Sequence, residues 1–137
     1  MRDVLLVAIG GGLGAVTRYL TGLAAARWLG AGFPWGTLVV NVAGCFAMGL
    51  VMAKLLSLES GLAGSPGPAL RWQLDFWQRG VAIGFLGGLT TFSSFGADTI
   101  RQLQAGQTGP AMANIAGNLL LSLAAVWAGM ALMQAID

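Results

Sequence analysis

The chain has no histidine, a single cysteine and only five acidic residues among 137. Most metal-ligand sets and acid–base pairs are therefore out of its reach, and Cys45 has no partner for an internal disulfide. Lying in an apolar run, Cys45 reads as a buried structural thiol. Charged residues make up 9% of the chain, whereas a soluble domain carries about 25%, so a normal solvated surface is excluded. A net charge of +2 spread over so few charges offers no nucleic-acid surface; the basic residues read as anchors at membrane ends. What the chain does have is apolar length, with 56% hydrophobic residues and 22 glycines. It reads as an integral membrane protein.

Four apolar stretches are long enough to cross a hydrocarbon core as helices, at 4–26, 33–53, 80–100 and 110–136, and they form one domain over 1–137. The first resembles a signal peptide, because Arg2 precedes it and Ala24-Ala25-Ala26 looks like a cleavage site. Its length, the interrupting Arg18 and the small residues Gly10-Gly11-Gly12-x-Gly14-Ala15 argue instead for a retained, closely packed helix. Those glycines do not make a dinucleotide fingerprint, since neither the preceding strand nor the later acidic residue is supplied. Between the second and third spans, 57–77 holds Gly61, Gly64, Pro66, Gly67 and Pro68 and reads as a loop, with an aromatic re-entry at Phe76-Trp77. Both termini then lie on one side. The basic residues Arg2, Lys54, Arg71 and Arg79 on that side face Arg27 and Arg101 on the other, a charge bias too small to choose an orientation.

Polar residues inside the spans are few and patterned. Thr37, Asn41 and Gly44 share one helix face, and Asn41 reads either as interhelical glue or as a pore donor. Asn114, Asn118 and Ser122 follow at i+4 spacing, a stripe that belongs toward protein or water. The third span contains Gly87-Gly88 followed by Thr90, Thr91, Ser93 and Ser94, between Phe92 and Phe95. Each glycine disfavours helix by roughly 1 kcal/mol relative to Ala, and the hydroxyls compete for backbone hydrogen bonds. A helix broken in mid-membrane survives only where protein, ion or water satisfies its freed peptide groups. The stretch is thus either a site or a glycine-rich packing surface with hydroxyls turned back onto the helix.

Three functional classes meet this pattern. Hydroxyls and amides can donate to a small dehydrated anion, and phenylalanine ring edges tolerate one. A small multidrug-type exchanger would need a titratable group in the membrane, and the nearest candidate is Asp98, at a helix end beside Arg101. The third class is a structural membrane subunit. Passive conduction fits the residues better than proton-coupled export.

Three blocks carry a family resemblance: Gly11-Gly12-Leu13-Gly14-Ala15-Val16-Thr17-Arg18-Tyr19, Gly36-Thr37-Leu38-Val39-Val40-Asn41-Val42-Ala43-Gly44-Cys45-Phe46, and Gly84-Phe85-Leu86-Gly87-Gly88-Leu89-Thr90-Thr91-Phe92-Ser93-Ser94-Phe95. In this order, in so short a chain, they resemble the Fluc (also called CrcB) family of small fluoride channels over essentially the whole length. The resemblance implies an all-α antiparallel homodimer of dual topology, its third helix broken, in the cytoplasmic membrane. It implies passive, electrogenic fluoride export and no enzyme activity. It places Asn41, Phe92, Phe95, Ser93 and Ser94 in the fluoride pathway, with Asn114, Asn118 and Ser122 along the polar track of the fourth helix. It further implies a structural sodium ion at the dimer centre, held by the backbone carbonyls of Gly87 and Thr90, and a vestibule or topology role for Arg18. Two departures stand out. Ser94 replaces a commoner threonine, and Asn114 and Asn118 occur where the family commonly shows tyrosine and serine.

Overall fold

The computed structural model describes residues 1–61 and 64–136. Four helices run through it: Arg2–Leu29, Trp35–Ser60, Pro68–Gln104 and Thr108–Ile136. Each is long and apolar enough to cross a membrane, and no strand occurs among the described residues. This is an all-α, multi-pass membrane fold. The third span is interrupted, since Thr90 and Thr91 leave the helical conformation between a leading half, 68–89, and a trailing half, Phe92–Gln104.

The expected loop over 57–77 is corrected by the structure. Ser57–Ser60 completes the second helix, and helix resumes at Pro68, leaving a connection of which Leu62 and Ala63 lie outside the described residues. Pro68 stands at the start of the new helix, where its missing N–H is no loss. Of the glycines and prolines that argued for loop, Gly61 and Gly67 flank the two helices and Pro68 opens the second of them. A charged cluster fastens the protruding turn to the start of the chain. Arg2 and Arg79 both pair with Asp75, and Arg79 reaches Asp3 at 2.9 Å.

Packing in hydrocarbon gains nothing from hiding apolar surface, so close backbone approach has to supply it. The first helix lies on the leading half of the third through Gly10, Gly11 and Gly14. A methyl added to Gly10 would strike the Gly80 carbonyl, and one added to Gly14 the Phe85 carbonyl. Gly88 meets the Gly11 backbone in return. Gly12 takes no part, with no described atom within 4 Å of such a methyl. Phe76–Leu86 is wound loosely, in the π manner, and the Gly87 amide that closes it reaches back five residues to Ala82. The second and fourth helices repeat the device reciprocally, Gly49 against the Val126 carbonyl and Gly129 against the Phe46 carbonyl. Between these two glycine-packed pairs sits a small core of Val40, Val51, Leu86 and Leu89.

Candidate functional site

The glycines expected to break the third span are themselves helical; the extended residues are the two threonines after them. Thr90 has ψ 154° and Thr91 has φ −153° and ψ 112°. Both are β-branched and suited to extended backbone. Thr91 then starts the trailing half as its N-cap, its Oγ1 accepting the Ser94 amide at 3.1 Å.

Asn41 supplies what the broken ladder lacks. Its Oδ1 accepts the Thr91 amide at 2.8 Å and its Nδ2 donates to the Thr91 carbonyl at 3.3 Å. An unbroken helix would send the Thr91 amide to the Gly87 carbonyl and the Ser94 amide to the Thr90 carbonyl. Both donors are redirected, so the break releases those two oxygens. Uncharged oxygen donors of this kind fit a hard cation. Gly87 lies exposed on the surface of the single chain, and the Thr90 carbonyl accepts a 3.3 Å hydrogen bond from Arg18 Nη1. Arg18 thus reaches the break itself.

The face shared by Thr37, Asn41 and Gly44 lies along the third span. Thr37 Oγ1 donates to Asp98 Oδ2 at 2.8 Å, and Asp98 also pairs with Arg101. Asn41 holds Thr91, and Gly44 makes room for the Thr90 methyl.

Beside the break is a groove of about 300 Å³, lined by Asn41, Phe92, Phe95, Asn118 and Ser122, with Cys45 at its wall. Residues of the second, third and fourth helices meet here. The two phenylalanine rings lie 5.3 Å apart, edge toward face. Phe95 is buried, whereas Phe92 is 78% exposed on the single chain. Ser122 Oγ is buried yet has no hydrogen-bond partner among the described residues. Ser93 and Ser94 are drawn instead to the Thr91 hydroxyl, at 3.1 and 3.0 Å.

The asparagines form a continuous buried chain. Asn41 Nδ2 donates to Asn118 Oδ1 at 2.8 Å, and Asn118 Nδ2 to Asn114 Oδ1 at 2.9 Å. Asn114, fully buried and away from the groove lining, passes the chain to Thr99 Oγ1 at 2.9 Å. Asn118 lies within a second loosely wound turn, Gly117–Leu121, and its Nδ2 also donates to the Asn114 carbonyl at 3.1 Å. Thr99 is a participant that the sequence did not single out, and Thr91, read there only among the interrupting hydroxyls, takes part through its backbone and as a cap. The available signal was the run Phe95, Thr99, Gln102, a buried face at helical spacing on an otherwise polar segment.

The family model described as CrcB-like protein, Camphor Resistance (CrcB), matches residues 5–130. A protein of Rhodospirillum centenum named fluoride-specific ion channel FluC is 46% identical over 134 residues, covering 98% of this chain and 97% of its own. Proteins of the same name from Solibacter usitatus and Rhizobium etli are 44% and 43% identical, over 91% and 99% of this chain and 93% and 99% of their own. The match to the family model over residues 5–130 and the 43–46% identity to these relatives over nearly their whole length place this chain in the CrcB family.

Proposed function

We propose that the chain forms a fluoride channel that lets the anion leave the cell passively and electrogenically across the cytoplasmic membrane. The observation that carries this reading is the groove beside the break, where a buried hydroxyl with no partner among the described residues, Ser122, lines the same space as Asn41, Asn118 and two phenylalanines. A small hard anion must exchange its hydration for fixed donors, and Ser122 Oγ has a proton to give. The edge-to-face pair Phe92–Phe95 offers positive ring edges along the same path. The trailing half of the third span begins here, and its first-turn amides and helix dipole favour negative charge. Relatives that this chain matches over nearly their full length are named fluoride-specific channels.

A groove open along one side, with Phe92 largely exposed, calls for a cover. We assign that cover to a second copy in antiparallel, dual-topology arrangement, with lipid around the pair. Such a pair doubles the released carbonyls of Gly87 and Thr90, which would hold a central sodium ion through uncharged oxygen dipoles. Proton-coupled export is the weaker reading, because Asp98, which the structure places within the trailing helix and not at its end, is engaged by Thr37 and Arg101 and lies away from the groove.

The test is fluoride efflux from liposomes containing the purified protein, with and without a potassium ionophore to release charge. Ionophore-dependent efflux is expected. Efflux that ignores the ionophore and follows a proton gradient would favour the exchanger, and no efflux would favour a structural subunit.

A further inference from the structure

The asparagine chain has a direction, and its two ends fix it. At one end stands the Thr91 N–H, which can only donate, so Asn41 must turn Oδ1 toward it. At the other stands the Phe95 carbonyl, which can only accept. It takes the Thr99 hydroxyl proton at 2.8 Å. With that proton committed, Thr99 Oγ1 presents only lone pairs to Asn114, which must turn its Nδ2 inward. Asn114 then shows Oδ1 to Asn118, and Asn118 shows Oδ1 to Asn41. Reversing any one amide would set donor against donor or acceptor against acceptor in a buried place, where unmade hydrogen bonds are costly.

We propose that Thr99 is a positioning residue for the fluoride pathway, closing the far end of the amide chain behind Asn118 and holding the backbone of Phe95 from behind the groove. A threonine bonding back to the carbonyl four residues earlier is common in helices. Thr99 differs because the same oxygen terminates the amide chain and the same carbonyl belongs to Phe95, whose ring lines the groove. Neither Thr99 nor Asn114 lines the groove, and they are 6% and 0% exposed. Their influence therefore passes through Phe95 and Asn118. The inference rests on the channel reading above.

The experiment compares Thr99→Val, the same shape without the hydroxyl, with Thr99→Ser, which keeps it, by recording fluoride currents of single reconstituted channels. Thr99→Val is expected to lower the unitary current about tenfold, with Thr99→Ser close to wild type. A purely structural role would reduce the number of channels and leave the unitary current intact. Equal unitary currents in Thr99→Val and wild type would overturn the proposal, and so would an equal fall in Thr99→Val and Thr99→Ser. Should Thr99→Val give no folded protein, Thr99→Cys, with only a weak S–H donor, must conduct less per channel than Thr99→Ser; equality overturns the proposal. Absence of fluoride current in the wild type would instead sink the channel reading, so the two failures are separable.

Discussion

Asn41 grips Thr91 by both of its backbone polar groups, taking the amide at 2.8 Å and giving to the carbonyl at 3.3 Å, across the second and third helices. One side chain thereby does for an interrupted helix what a neighbouring strand does in a sheet. It also binds the break to the amide chain of the fourth helix through Asn118.

Asn41→Asp keeps the shape and the acceptor but removes both donated bonds, and if ionised brings negative charge beside the Thr91 carbonyl and Asn118 Oδ1. Fluoride efflux is expected to fall by at least about tenfold, with stability lower by about 1–3 kcal/mol. Liposome flux and thermal unfolding in detergent read the two effects. Wild-type flux in this variant would make Asn41 a purely structural residue.

Phe92→Ile and Phe95→Ile should each abolish fluoride flux, since an aliphatic branch has no positive ring edge to offer. Their stability effects should differ. Phe92 is 78% exposed on the single chain and is assigned to face the second copy, so its replacement should act on the pairing of copies and leave the fold of each chain intact. Phe95 is 8% exposed, and reshaping that site should cost about 1 kcal/mol. Undiminished flux in both variants would remove the rings from the mechanism.

Ser122→Ala separates function from stability. The hydroxyl is buried without a partner among the described residues, so deleting it should leave stability unchanged or raise it by up to about 1 kcal/mol. Flux should nevertheless decline, because a proton donor in the groove is gone. A variant equally active and more stable would show that Ser122 does not touch the ion.

Gly10→Ala and Gly14→Ala drive a methyl into the carbonyls of Gly80 and Phe85, forcing the first and third helices apart. Each is expected to destabilise by about 1–3 kcal/mol or more. Gly12→Ala, two residues from each, meets no described atom within 4 Å and should be neutral or gain from better helix propensity. Thermal unfolding in one detergent ranks the three, and equal melting of all would refute the packing account.

Much of this was legible in the residues. Four apolar runs give the spans, because nothing else accommodates so little charge. The need for an interruption follows from Gly87-Gly88 and the hydroxyls after them, and the need for a partner at Asn41 from the cost of an amide in hydrocarbon. The location of the break was less so. Gly87 and Gly88 remain helical because Gly88 is used against Gly11, and the extended positions fall to Thr90 and Thr91. The helix from Pro68 was hidden by the glycines and prolines around its start, of which Pro68 itself opens the helix and does not break it. Partner choice within a polar stripe was hidden as well. Asn114, Asn118 and Ser122 share one spacing, yet one is sealed behind Phe95, one joins the amide chain and one stands alone at the groove. Only the neighbouring helices decide among them.

The most direct test of the whole account is the reversal potential of current through the reconstituted protein when fluoride, chloride and proton gradients are set independently. The current should reverse near the fluoride equilibrium potential and ignore the other two. Reversal that follows the proton or chloride gradient, or no current at all in active preparations, would contradict it.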